Sequence, residues 1–480
     1  MSTPSVAAIA KALSAPSAAR DHAPHVMAWT SLYRGARAAE TMVLATGSYT
    51  RIPKGMKMGK RICEDWAGLL WAEGAEVAIG EEGGPESALA GEMFGADFAP
   101  LFSGAIERAF ASSIAVADII ISDLAIRPDG TVGEGRAVMD IDFTGAGGVI
   151  PLAWTKRGIT EVALVSYGIR HVDVREHRVI DGGRRIVNRR FDRGGDNGSG
   201  LTEMPPEALI GAGIAPSLDI AGAPDLFAVV QPACENNIET DSPYKVGIFA
   251  NAVDHLAIVD TVFDNFHRDF HLGGKRVFVS DTLVKHDACG NPVPPSRDGA
   301  DMYVMLEATM GVQGGMSDVF KEYNPELRVG DNTLALDAAL SHLSSAVGMG
   351  SERYRYRGET VATATQIISE NSDLFRNRRR HWLGISKAVE TLARAALFIG
   401  ANLCGMPVDP DAEIIVRSDD SVIEDDATKL ARGLLLAQSG MISKARFQAD
   451  YLGWTEGEIA AEATASPKVP SLFGAPDAVA

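Results

Sequence analysis

Apolar positions recur along this chain with two different periods, and the change from one to the other falls after Pro243. Before it, from about Thr41 to Val230, short apolar runs alternate with turn signals at 113–121, 126–135 (with Pro128-Asp129-Gly130), 137–143, 159–167, 171–180 and 185–191. Such runs, bounded by Gly, Pro and Asp, read as strands. The strongest hairpin signal joins 171–180 to 185–191 across Asp181-Gly182-Gly183. Residues 56–72 and 98–111 have helical spacing, so the first half is expected to be α+β, with 194–213 as a long polar loop.

After Pro243 the spacing becomes helical. Phe249, Ala252, Leu256, Val259, Phe263, Phe266 and Phe270 are separated by 3, 4, 3, 4, 3 and 4 residues, the seam of a helix that lies along another helix. Gly273-Gly274 ends it. A strand at 275–280 is expected next, then an irregular segment with Pro292, Pro294 and Pro295, a strand at 301–306 and a short helix at 316–322. A helix at 334–347, capped near Asp331 or Thr333, leads to a loop at 348–359 reading GMGSERYRYRGE. In an extended backbone Arg353, Arg355 and Arg357 would share one side of that loop, with Tyr354 and Tyr356 on the other.

The longest periodic stretch follows. Ala364, Ile368, Phe375, Trp382, Ile385, Val389, Leu392, Ala396, Ile399 and Leu403 trace one face of a proline-free helix over 361–404, roughly 60 Å long at the rise of an α-helix. A strand at 413–417 is expected after Pro407-Val408-Asp409-Pro410, and capping boxes at Ser421–Glu424 and Thr455–Glu458 open two further helices. The Ala-, Ser- and Pro-rich first 25 residues and the proline-bearing tail read as frayed ends.

Composition narrows the function. At 480 residues more than one packed unit is expected, and 46% apolar with 22% charged residues is globular material. Cys63, Cys234, Cys289 and Cys404 are scattered without a CxxC pair, which fits a reducing compartment and neither a zinc knuckle nor a disulfide framework. No run is long and apolar enough for a membrane helix. The net charge of −18 opposes tight binding to phosphate backbones and counts against an ordinary DNA-binding protein, without excluding one past which DNA must slide.

Catalytic signatures are missing: there is no GxxxxGK[ST], GxSxG or HExxH, and Gly145-Ala146-Gly147-Gly148 lacks a lysine and reads as a turn. One spacing suits a metal: His267 and His271 at i and i+4, with Asp264 before them. It motivates the alternative of a metal-dependent hydrolase. The plainer reading is a polar helix face, since no glutamate base stands between the histidines. Asp287 and Cys289 near His286 are weaker still. Arg376, Arg378, Arg379 and Arg380 form a basic cluster with two open readings, a contact with nucleic acid or a neighbouring subunit, or a solvated face. A structural, assembly-forming intracellular protein without catalytic residues, cofactor or metal is therefore expected, a non-viral scaffold being a further alternative.

Four segments then carry a resemblance: TATQIISENSDLFRNRRRHW at 363–382, ENNIETDSPYKVGIFANAVD at 235–254, FDNFHRDFHLGGKRVFV at 263–279, and DDSVIEDDATKLARGLLLAQSGMISKARFQADYLGWTEGEIAAE at 419–462. In the same order they resemble the portal proteins of long-tailed bacteriophages, whose long helix carries T-A-T-E-[IV]-x-S-E-N-S-D; Gln366 stands here where that pattern has Glu. DGGRRIVNRRF and GITEVALVS fit as well, so the likeness spans roughly residues 40 to 465. SERYRYRG has no counterpart in the family pattern.

The resemblance implies an α+β portal-protein fold, forming a ring of about twelve copies at one capsid vertex. Through its channel the genome would be packaged by terminase and later ejected. Carried over by position, residues 1–25 would be a flexible N-terminus, 26–246 the wing, 247–273 the first stem helix, 274–330 the clip and 331–347 the second stem helix. Residues 348–360 would be the tunnel loop, 361–404 the long wing helix, 405–423 a wing strand, 424–463 the helical crown and 464–480 a flexible tail. The implied partners are other copies of the chain, double-stranded DNA, the terminase large subunit, a head-completion or adaptor protein, and the major capsid and scaffold proteins, without a membrane. The implied location is the virion, and the host cytoplasm during assembly. Expected DNA-channel contacts are Arg353, Arg355, Arg357, Tyr354, Tyr356, Arg376, Arg379 and Arg380. Expected subunit-packing residues are Phe249, Leu256, Val259, Phe263, Phe266, Phe270 and Trp382.

Overall fold

A computed structural model describes residues 6–44, 47–71, 75–127, 137–193, 201–280, 285–289, 292–293, 303–306, 320–355 and 372–418, and, between 433 and 452, residues 433–435, 437, 439 and 442–452. With 43% helix and 25% strand in several small sheets, the chain is α+β, as the two periodicities imply. It divides into two compact units, residues 1–71 with 77–416, and residues 72–76 with 417–480.

The chain begins with helices α1 (Val6–Ala12) and α2 (Ala18–Tyr33). Ile9, Ala10, Ala19 and Trp29 are buried, so residues 6–25 belong to the folded body, not to the flexible terminus expected for 1–25. A hairpin of β1 (Glu40–Leu44) and β2 (Gly47–Arg51) precedes α3 (Met58–Leu70), whose Ile62, Cys63, Trp66, Leu69 and Leu70 are buried at helical spacing. β3 (Glu76–Ile79), α4 (Pro85–Phe94) and α5 (Phe98–Ser112) follow.

The sheets then form in chain order. β4 (Ala115–Ser122) and β5 (Val138–Gly145) pair antiparallel in register from Ala115 opposite Gly145 to Ser122 opposite Val138. β6 (Val149–Thr155), β7 (Gly158–Tyr167), β8 (His171–Ile180) and β9 (Gly183–Asp192) make an antiparallel meander. The expected hairpin is present as a two-residue turn: Gly182 takes φ +71°, where a side chain is strained, and a Cβ on Gly183 would lie 2.3 Å from the Ile220 carbonyl oxygen. The segment expected as the loop 194–213 carries β10 (Thr202–Glu203) and the single turn α6 (Glu207–Ile210) in its described part. β10 and β11 (Ser217–Ala221) both pair with β9. β12 (Phe227–Val230) lies on the other edge of β4, which is therefore central and buried from Ala115 to Ile119. Asp118 on β4 is fully buried and joins the two sheets, holding Arg175 Nη1 at 2.6 Å and His177 Nε2 at 3.3 Å from β8. Burial alone would raise its pKa; the bonds from His177 and Arg175 win and hold it below the usual carboxylate range.

Beyond Pro243 a short 3-10 turn at Ala250–Ala252 runs into α7 (Val253–Leu272). β13 (Arg276–Ser280), β14 (Lys285–His286), β15 (Pro292–Val293), β16 (Tyr303–Leu306) and β17 (Phe320–Tyr323) follow, and β13 pairs parallel with β16 and antiparallel with β17. Phe320–Tyr323 is thus a strand where the spacing suggested a helix at 316–322, because β13, far back in the chain, supplies its partner. α8 (Val329–Ala346) returns antiparallel along α7, since Asp269 near the end of α7 accepts from Arg328 Nη2 at 2.8 Å and Asn332 Nδ2 at 3.1 Å at the start of α8.

α9 (Ser372–Asn402) is the described part of the expected helix 361–404, and residues 361–371 lie outside the described residues. Its 31 residues span about 46 Å. It packs on β12, β4 and α3, with Ile385, Val389, Leu392, Ala396 and Ile399 buried. β18 (Ile414–Arg417) lies beside β3. In the second unit α10 (Lys444–Leu452) stacks Phe447 on Tyr451 at 5.6 Å, a helix that falls between the two capping boxes. Most of 424–463, expected as the crown, and all of 464–480 lie outside the described residues.

Candidate nucleic-acid interface and helix-pair seam

Where α8 ends, the chain is fixed from two sides. The indole N–H of Trp66 on α3 donates to the Val347 carbonyl (3.2 Å), and Asn377 Nδ2 on α9 donates to the Gly348 carbonyl (2.9 Å). Gly348 has φ +80°, and a Cβ there would lie 3.0 Å from Asn377 Nδ2. Met349 is buried just beyond. The arginine segment therefore leaves a rigid corner built by α3, α8 and α9.

Residues 351–354 bend and turn, and the Arg355 N–H donates to the Glu352 carbonyl at 3.3 Å. The alternation expected of an extended strand is lost here. Arg353 reaches Asp65 on α3 at 3.6 Å, while Arg355 pairs with Glu352 at 2.5 Å, and both guanidiniums stay exposed. Tyr354, expected on the channel surface, is half-buried, and its hydroxyl donates to the Met349 sulfur at 3.0 Å. Burial, then the Asp65 charge, push its phenol well above the usual range. Tyr356 and Arg357 lie outside the described residues.

The basic cluster at the head of α9 splits. Arg376, Arg379 and Arg380 are exposed, with Arg376 paired to Asp373 at 3.4 Å. Arg378 points inward, and its Nε donates to the Leu69 carbonyl at 2.8 Å, so it belongs to the core and not to the basic face. His381 is buried between Trp66 (4.7 Å) and Phe110 (5.0 Å), and its Nδ1 accepts from the Ala233 N–H at 2.9 Å. That bond places the ring proton on Nε2. Burial lowers its pKa to about 4, and the neighbouring Arg380 charge adds to the effect. Trp382 is half-buried and stacks on Trp71 at 6.2 Å inside the chain, which sets it apart from the subunit contact expected for it.

The α7 seam is closed at one end and open at the other. Phe249, Leu256 and Val259 are buried in the chain's own core, so the expected role in packing between subunits does not fit these three. Phe263 and Phe266 are half-buried and Phe270 is 47% exposed. Leu327, Val329 and Leu334, around the start of α8, are exposed as well, which leaves an apolar tip where α7 ends and α8 begins.

His267 and His271 are exposed, with ring centroids 6.2 Å apart. Asp264, the acid expected to join them, is turned away: it holds Arg51 Nη1 at 2.6 Å and accepts from the Lys54 N–H at 2.8 Å. Among the described residues no group of His, Cys, Asp and Glu is gathered for a metal.

The spacing gave no sign of one further polar chain. His22 on α2 bonds Ser113 Oγ through Nε2 and Glu239 through Nδ1, both at 3.0 Å, and stacks on Tyr244 at 4.3 Å. Ser113 carries φ +89° but is fully buried, so the relay ties α2 to the α5–β4 junction and offers no open nucleophile. Comparisons with protein-family profiles and with curated proteins found no match for this chain.

Proposed function

We propose that this chain is the portal subunit of a long-tailed bacteriophage, a structural ring component whose channel passes double-stranded DNA during terminase-driven packaging and during ejection. The observation that carries the reading is an order of parts. An antiparallel helix pair holds a strand-bearing segment between its members, then runs through an arginine turn into a helix of 31 residues. The four resembling segments occur in that same order along the chain.

The physics of the parts suits the role. The apolar tip of Phe270, Leu327, Val329 and Leu334 is surface that a neighbouring copy would cover, each copy receiving what it gives. Arg353 and Arg355 project from a rigid corner, and duplex DNA offers arginines a charge that does not vary with sequence. A net charge of −18 keeps the rest of the surface from trapping DNA. On this reading residues 274–330 meet terminase or the adaptor protein, and 424–463 face the capsid interior.

The test is DNA packaging into capsids carrying Arg353→Ala/Arg355→Ala/Arg357→Ala. Intact particles that package less DNA are expected. Normal packaging by the triple variant would remove the arginine turn from the channel.

A further inference from the structure

Residues 51–61 contain Arg51, Lys54, Lys57, Lys60 and Arg61 and no acid, in a chain of net charge −18. The fold brings the end of this stretch against the arginine turn, almost three hundred residues further along. The link is Asp65 on α3: one carboxylate oxygen lies 3.2 Å from Arg61 Nε and the other 3.6 Å from Arg353 Nη2. The Asp65 side chain is only 9% exposed, whereas those of Arg61 and Arg353 are 62% and 41% exposed. The acid lies beneath and the two guanidiniums face out.

The neighbouring Lys60 has one covered and one exposed partner. Glu107, on α5, is largely covered and holds Lys60 Nζ at 2.6 Å, and Lys60 also reaches Glu64. Lys57, which caps α3, is exposed one turn before Arg61, with its stem against Gly35. No acidic residue stands in the first turn of α3, so the helix dipole adds the same sign.

We infer that Lys57, Arg61, Arg353 and Arg355 form one cationic track for the phosphate backbone of duplex DNA, so that α3 shares the contact otherwise given to the turn alone. This rests on the portal reading, which supplies the duplex. The covered Asp65 holds the guanidinium forks of Arg61 and Arg353 from beneath, and a held fork matches a phosphate with two donors. Asp65 and Glu352 also offset part of the charge of the track, so each contact is weak. A duplex that must slide needs weak contacts repeated around a ring.

The experiment measures binding of a short fluorescent duplex of mixed sequence to the assembled ring across a salt series. Lys57→Ala/Arg61→Ala is expected to lower the slope of log K against log salt by about 1.8, the loss of two phosphate contacts at roughly 0.9 each. Ring mass and thermal midpoint should not change, because both side chains are exposed. Lys156→Ala/Arg157→Ala, an equal charge change on the β6–β7 turn, should leave the slope alone. Equal slopes for the two variants overturn the inference. If Arg353→Ala/Arg355→Ala lowers the slope and Lys57→Ala/Arg61→Ala does not, only the α3 extension fails. If the unsubstituted ring binds no duplex at any salt, the portal reading fails with it. Loss of ring assembly in Lys57→Ala/Arg61→Ala would mark a contact to an acidic neighbouring subunit and also overturn the track.

Discussion

Replacing His381 by Gln separates the packing of a buried imidazole from its titration. The ring lies between Trp66 and Phe110, and its Nδ1 accepts from the Ala233 N–H. A Gln keeps an oxygen acceptor for that N–H but cannot take up a proton near neutral pH. Burial lowers the folded pKa of His381 to about 4, against 6.5 for the unperturbed group. Between these values the unfolded chain binds the proton and the folded chain does not, so stability rises with pH and is lost as pH falls. The gap of about 2.5 pH units, at 1.36 kcal/mol each, makes the loss about 3 kcal/mol between pH 7 and pH 4. Urea unfolding of both proteins at a series of pH values reads it directly. At pH 7 the His381→Gln variant is less stable, having lost ring packing; toward pH 4 the wild type should fall by about 3 kcal/mol relative to the variant. His22, whose pKa burial also lowers, is present in both and cancels. Parallel curves for the two proteins would refute the reasoning.

The two ends of the α7 seam should respond differently to charge. Val259→Asp places a carboxylate in a fully buried site and should abolish soluble folded protein, whereas Phe270→Asp, at the exposed tip, should fold normally and fail to assemble, as gel filtration would show. Asp118→Asn leaves Arg175 and His177 without their shared carboxylate and should cost about 3 kcal/mol in urea unfolding, with an unchanged unfolding midpoint counting against the inter-sheet role. Gly348→Ala imposes a side chain at φ +80° beside Asn377 and should lower stability by about 1–2 kcal/mol, measured as a drop in thermal midpoint; no drop would mean the corner is not rigid.

Elements with a full period were legible from residues alone: α3, α5, the β7–β8–β9 meander, α7 and most of α9 lie close to where their spacing puts them, and so does the end of α8, whose start at Val329 precedes the cap expected near Asp331 or Thr333. What escaped depends on partners far away in the chain. α1 and the start of α2 lie in an Ala-, Ser- and Pro-rich stretch that resembles a frayed end, yet Ile9 is buried against the sheet, where the neighbouring Ala10 and Ala19 allow close approach. β6 contains Pro151, a poor sign for a strand, but β6 is the last strand of its sheet, where a missing N–H is tolerated. β17 took its conformation from β13.

The site divides in the same way. The alternating arginines were visible in the sequence. That they bend back toward an acid on α3 was not, because Asp65 and Trp66 lie almost three hundred residues before the turn they fix. Arg378 and Arg379 are adjacent and alike in sequence, yet helix rotation sends one into the core and leaves the other in water.

The mass of the purified chain at native pH, read with axial images of the same particles, tests the portal reading most directly. A closed ring of about twelve copies of a 50.9 kDa chain around an open channel is expected. Monomers or dimers at every concentration, with no ring in the images, would contradict it.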